Sequence, residues 1–214
     1  MTGQHARRRT GRVRFVLLHL RARNTPLVVA GLVAVALLAW GAGHWLVTRE
    51  FSTGAQERWP VAALAPLLGA VLVSVGFAGA DEELERTAAV RWCPIRLLQF
   101  ALATIAVAAA LALTGLWEPR TYGAFELVRN TAAGLGAVAL AAAVLGVRLA
   151  WVPVAPYVLV VMSVGPRNPG TAWWTWPVQP WASPLAVWSA ATLLILGGVA
   201  YSWSGARPVR SAGS

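Results

Sequence analysis

Lysine is absent from this 214-residue chain, and all 18 of its basic residues are arginine. Without lysine there is no Walker A phosphate-binding loop, no Schiff-base chemistry and no lysine general base. Carboxylates are scarce too. There are eight, and Asp81 is the single aspartate, which excludes chemistry built on clustered aspartates. Cys93 stands alone, so disulfides within the chain and cysteine-rich metal sites are ruled out. Its place beside Pro94 fits a small interfacial residue rather than a redox centre. The three histidines, His5, His19 and His44, lie far apart. Charged residues make up only 12% of the chain.

Hydrophobic residues make up 57% of the chain, and the mean hydropathy is +0.60. This balance belongs neither to a disordered chain nor to an ordinary soluble domain. A helix needs about 20 apolar residues to cross the roughly 30 Å hydrocarbon core of a bilayer. Six stretches approach that length: Pro26 to Val47, Pro60 to Ala80, Ile95 to Trp117, Thr131 to Val147, Leu149 to Gly165 and Pro184 to Trp203. The expectation is an all-α polytopic membrane protein of about six transmembrane helices spanning residues 26–204. The fourth and fifth stretches are short and separated by Arg148. Arginine at mid-bilayer costs about 2.5–3.5 kcal/mol, so a tight hairpin at Arg148 is expected. Pro153 and Pro156 should bend or break the fifth stretch. The first stretch is longer than the 7–15-residue core of a signal peptide, so it is expected to be a retained anchor.

Arginine placement predicts orientation. With both termini in the cytoplasm, the outer side carries Arg49, Arg58, Arg120, Arg129 and Arg167, and the other thirteen lie inside. The formal charge of +10 is then explained by anionic lipid headgroups at the membrane edge. No nucleic-acid partner is expected, because no basic domain interleaved with aromatics remains.

Four segments outside the spans, besides the tail that follows the last span, have their own character. Residues 1–11 are expected to form a disordered basic tail, and residues 205–214 a cytoplasmic tail. Over residues 12–25, Val13, Val16, Leu17 and Leu20 share one helix face, while Arg12, Arg14, Arg21 and Arg23 occupy the rest. Such a basic amphipathic helix lies in the interface and serves as an anchor or as an elbow that positions the first span. Residues 81–92 hold four of the eight acids: Asp81, Glu82, Glu83 and Glu85. Asp81 is placed as an N-cap with Glu82 and Glu83 in the first turn. Glu82 and Arg86 are spaced i, i+4, and Leu84, Ala88 and Trp92 form an apolar stripe. An acidic helix in a loop expected to be basic is suited to docking a cytoplasmic protein. The fourth segment, 166–183, holds four prolines with Trp173, Trp174, Trp176 and Trp181. It cannot form a long helix, and tryptophan favours the interface. A folded outer cap is expected, either as a surface anchor or as the gate of an exit path. Glu126 and Arg129, spaced i, i+3, are expected to form a local ion pair. Alanines at 133, 137 and 141, and at 106 and 110, permit close helix contact.

This plan resembles the permease subunit of type-2 ATP-binding-cassette exporters. In that family the segment after the second span reads Glu-x-Gly-Thr-x-Glu, followed by a proline and an arginine. Here Glu85-Arg86-Thr87 is similar to its Glu, Gly and Thr, with arginine in place of glycine and without the intervening residue, and Ala89 stands at the second glutamate. Pro94 comes one residue early, and Arg96 follows two residues after it. The resemblance implies that residues 81–92 are a coupling helix, with Asp81, Glu82, Glu83, Glu85, Arg86 and Arg91 contacting a cytoplasmic ATP-binding subunit. It implies ATP and Mg on that subunit, no cofactor on this chain, and a second permease copy or paralogue completing the path. Arginine without lysine, with abundant alanine, glycine and tryptophan, is the composition of a GC-rich bacterial genome, so a bacterial cytoplasmic membrane is expected. Mid-span polarity is limited to hydroxyls such as Ser74, Thr104, Ser163, Ser189 and Thr192. That suits a hydrophobic or amphipathic cargo rather than proton coupling.

Two other classes compete. Glu82-Glu83-Leu84-Glu85-Arg86 is one residue short of the Glu-Glu-x-x-x-Arg of prenyl-protein-type membrane proteases, and all three histidines lie upstream of it. No Gly-x-Ser-Gly motif supports a rhomboid-type protease. An enzyme is therefore not expected. A non-transporting accessory, immunity or assembly protein that binds a cytoplasmic partner through the same acidic helix remains the alternative to a permease.

Overall fold

The computed structural model describes residues 25–49, 55–77, 92–116, 122–164 and 173–207. Among these, all regular structure is helical. We number the α-helices α1 (Thr25–Val47), α2 (Trp59–Ser74), α3 (Trp92–Gly115), α4 (Ala124–Leu145), α5 (Val154–Val164) and α6 (Pro184–Ser204). Five of them, α1 to α4 and α6, are long and apolar enough to cross a membrane, α2 with the 3₁₀ turn Val75–Phe77 that follows it. The protein is an all-α, multi-pass membrane protein. The fifth expected span is the exception. Pro153 stands before its helix and Pro156 in its first turn, and only 11 helical residues remain. These rise about 16 Å, roughly half the core thickness.

The expected elbow helix, the acidic segment up to Arg91 and the tail from Pro208 lie outside the described residues. Three boundaries differ from expectation. Thr25 opens α1 and Trp92 opens α3, so each belongs to a span. Gly205 to Arg207 fold back as a cap on α4. The Arg207 N–H donates to the Ala142 carbonyl at 3.0 Å, and its Nη1 donates to Val144 at 3.0 Å. Two last-turn carbonyls of α4 are thereby satisfied next to a positive charge, which the helix C-terminus favours.

Helix α4 is the axis of the bundle. About two thirds of it is buried, the largest share of any long span, whereas α1 and α3 turn large apolar side chains such as Leu37, Leu38, Leu102 and Ile105 outward. That is the surface expected of helices bathed in lipid, and Trp45 with Arg49 stacked 3.7 Å over its ring marks the interface end of α1. Helices α4 and α6 run parallel and in contact: Ala133 packs with Ala186 and Ala190 at one end, and Arg207 meets Ala142 at the other. They touch backbone to backbone where Gly136 meets Leu193 and Gly197. A Cβ at either glycine would overlap a carbonyl oxygen of the partner helix. Ala133 and Ala141 are buried in this core, while Ala106 lies on the exposed face of α3.

The described arginines gather at the two ends of the bundle. Arg96, Arg148 and Arg207 mark one end. Arg49, Arg58 and Arg129 mark the other, where Arg58 and Arg129 are buried. Arg58 donates to the Thr114 carbonyl at 3.4 Å, joining α2 to the end of α3.

Replacing Gly197 with valine forces α4 and α6 apart. The expected cost is about 1–3 kcal/mol of overpacking, read as a lowered Tm and loss of monodispersity in detergent. Ala109→Val, on the exposed face of α3, should leave both unchanged.

Candidate functional site

Between α5 and α6 the chain forms a compact cap, described from Trp173 to Ser183, with one 3₁₀ turn at Trp176–Val178. Prolines at 177, 180 and 184 prevent a longer helix. The cap reaches below the start of α6. Ser189 Oγ, five residues or about 7–8 Å along that helix, donates to the Trp173 carbonyl at 3.0 Å. Non-helical backbone at such depth persists only where protein satisfies every polar group.

Four side chains from the start of α4 do this. Arg129 donates to the carbonyls of Trp176 at 3.0 Å, Gln179 at 2.6 Å and Pro180 at 3.0 Å. Asn130 Nδ2 donates to the Pro177 carbonyl at 2.8 Å, and the Tyr122 hydroxyl donates to Val178 at 2.9 Å. Five consecutive cap carbonyls, 176 to 180, are each satisfied from the stretch Tyr122–Asn130. Glu126 Oε1 accepts the Trp181 N–H at 3.0 Å and the Tyr122 N–H at 2.8 Å. Its reach back to the residue before the N-cap Gly123 is a variant of the capping box, and it holds Tyr122 at a φ of 62°. Arg129 Nε donates to Asn130 Oδ1 at 3.1 Å, which fixes the amide orientation. Inside the cap, Gln179 Nε2 donates to Thr175 Oγ1 at 2.7 Å.

The same asparagine joins the cap to α2. Pro66 lies inside α2 and has no N–H, so the carbonyl of Ala62 loses its helical donor. Asn130 Nδ2 takes that place at 2.7 Å. The expected Glu126–Arg129 ion pair does not form. Both side chains are directed to cap backbone instead, because a local pair would leave those buried peptide groups without partners.

The cap also covers a groove. It occupies about 790 Å³ between α4, the start of α5 and α6, and is lined at its upper end by Trp173, Trp174, Trp176, Tyr157 and Trp188. Tyr157 donates its hydroxyl to the Trp174 carbonyl and sets its ring 6.3 Å from Trp176. The lining is almost wholly apolar, with Ser189 and Thr192 its hydroxyls besides that of Tyr157.

The expected site residues divide accordingly. Arg12, Arg14, Arg21, Arg23, Asp81, Glu82, Glu83, Glu85, Arg86 and Arg91 lie outside the described residues. The four cap tryptophans have three fates: Trp173 and Trp181 are exposed as interface anchors would be, Trp174 is half-buried, and Trp176 is core. Of the mid-span hydroxyls, Ser74, Thr104 and Ser163 donate to carbonyls of their own helices and do not line this groove. Tyr122, Asn130, Tyr157 and Gln179 were not singled out from sequence. The signal available is a polar cluster, Glu126 with Arg129, Asn130 and Thr131, opening an otherwise apolar span. Among the described residues, no cluster of His, Cys, Asp or Glu could hold a metal ion.

Arg129→Met strands the buried carbonyl of Gln179, at a cost of about 1–3 kcal/mol, and leaves the carbonyls of Trp176 and Pro180 with only the turn bonds from the Gln179 and Ser183 N–H groups, at 3.4 and 3.3 Å. In a Cys93→Ser background, a Val178→Cys probe should resist maleimide in membranes and become reactive once Arg129→Met is added. Asn130→Asp removes the donor to a single cap carbonyl, that of Pro177, together with the donor to Ala62 in α2, and should release the probe more weakly. No protein-family model matches the chain, and no curated protein and no solved structure is similar to it.

Proposed function

We propose that this chain is the membrane-spanning permease subunit of an ATP-binding-cassette exporter for a hydrophobic or amphipathic cargo. The order of its elements supports this reading. Four long spans are followed by a short fifth helix, a structured re-entrant cap and a last long span. The latched cap between α5 and α6 is the observation that carries the proposal, because it is the structured segment expected between the last two spans of such a permease. The absence of lysine agrees, since ATP and Mg then belong to a separate subunit.

The mechanism follows from which parts are rigid. The Gly136–Gly197 crossing and the Arg129 latch bind α4, α6 and the cap into one body. Helices α1 and α3 pack around it with few of their residues buried. ATP binding closes a pair of cytoplasmic ATPase subunits, which push on residues 81–92 just before α3. That push moves α3 and α1 against the α4–α6–cap body, and a permease pair switches between inward- and outward-facing states. The ATPase drives the switch only through contacts that differ between the two states. Both termini and the acidic segment are assigned to the cytoplasm, in a bacterial cytoplasmic membrane. No acid lies deep in a described span, because Glu126 sits in the first turn of α4, so the energy source is external to this chain.

Reversing Glu82, Glu83 and Glu85 together to arginine should abolish co-purification with the ATPase subunit and uncouple ATP hydrolysis from cargo in reconstituted vesicles. Retained binding and transport would remove residues 81–92 from the contact. Binding without any cargo-stimulated hydrolysis in the wild-type complex would favour an accessory subunit.

A further inference from the structure

The groove beneath the cap has a direction. At its upper end are Trp173, Trp174 and Trp188. From there it follows α4 from Ala137 to Leu145, eight residues or about 12 Å. That is close to one leaflet of a roughly 30 Å hydrocarbon core. Its lower end is bounded by Val144, Leu145 and Pro153, where the hairpin turns. Two exposed arginines stand at that end. Arg207 donates to the carbonyl of Val144, itself a lining residue, and Arg148 lies three residues beyond Leu145 in the 3₁₀ turn.

The groove exists because α5 is short and packs on α2 and the cap, leaving a gap between itself and α6. Its walls are continuous with the lipid-facing surface of α6, where Leu185, Trp188, Ile195 and Leu196 are exposed. Its volume of about 790 Å³ lies within the roughly 300–1,000 Å³ typical of ligand sites. A second helix is a poor occupant. A helix is about 10–12 Å across and rod-like, whereas this groove has tryptophans along its upper end and hairpin residues at its lower end in the path of such a rod.

We infer that the groove is a binding site for one anionic phospholipid of the leaflet on the Arg148–Arg207 side. One acyl chain fills the slot up to the tryptophans, and the phosphate is held at Arg207 and Arg148. Apolar contact supplies the chain selectivity. The two guanidiniums supply the headgroup selectivity, as basic residues at helix edges do for acidic lipids. The inference stands on the membrane fold and the groove, and does not depend on export.

The test uses the full chain in vesicles of equal phosphatidylglycerol and phosphatidylcholine with identical oleoyl chains. After gentle re-extraction, retained lipid is quantified by mass spectrometry. About one equivalent of phosphatidylglycerol should remain, enriched about tenfold over phosphatidylcholine. Ala137→Phe and Thr192→Trp, which fill the slot from opposite walls, should each abolish that retention. Arg148→Gln with Arg207→Gln should equalise the two lipids. Ala109→Phe on α3 should change nothing. Equal retention of both lipids by the wild type, or retention unchanged in both slot-filling variants, overturns the inference. Loss matched by Ala109→Phe does so too, since it indicates annular lipid only. Should the slot-filling variants fail to fold, a phosphatidylglycerol carrying a mid-chain diazirine decides on the wild type. Adducts on Tyr157 or Trp188 support the site, and adducts confined to α1 and α3 overturn it.

Discussion

A peptide group inside a bilayer has no water to turn to, and the cap of this protein is eleven residues of largely non-helical backbone placed against that constraint. The constraint is met from one place. Arg129, Asn130 and Tyr122 satisfy the carbonyls of residues 176 to 180, and Glu126 takes the N–H of Trp181. Everything at this end of the bundle follows from that arrangement. It accounts for a buried arginine and carboxylate that do not pair with each other, for a proline in α2 whose orphaned carbonyl is recovered by Asn130, and for a tryptophan buried in the core.

The latch and the glycine crossing act together. Where Gly136 meets Leu193 and Gly197 the backbones of α4 and α6 are in contact, so the two helices cannot slide apart without opening a void. The cap begins within reach of Tyr157 and ends at Pro184, so it bridges α5 to α6 across α4. In the proposed export cycle, this core is the body against which the lipid-exposed helices α1 and α3 move. It also leaves the gap that becomes the aromatic groove, because α5 is too short to fill the space beside α6.

Charge placement is resolved by the same packing. Five arginines were assigned to the outer side by the positive-inside rule. Two of these, Arg58 and Arg129, are buried and bonded to backbone carbonyls, so they do not present charge to water. At the opposite end Arg148 and Arg207 are exposed. The asymmetry of accessible charge among the described residues is therefore sharper than the asymmetry of counts.

Hydropathy by itself determined the class of this protein and the position of its five long spans, because twenty apolar residues in a row have one stable home. It also placed a hairpin near Arg148, since arginine at mid-bilayer is costly, and a cap at 166–183, since four prolines and four tryptophans exclude a helix and favour the interface. What the cap is tied to was decided only in three dimensions. Arg129 lies 47 to 51 residues from the carbonyls it meets, and no local pattern records a partner at that separation. At i, i+3, Glu126 and Arg129 look like an ion pair; the fold gives each of them a peptide group instead, because a buried carbonyl or N–H has nowhere else to go. Arg207 looks like part of a free tail, yet it closes the end of α4. The groove has no signature in the sequence, being the space left where one helix is too short.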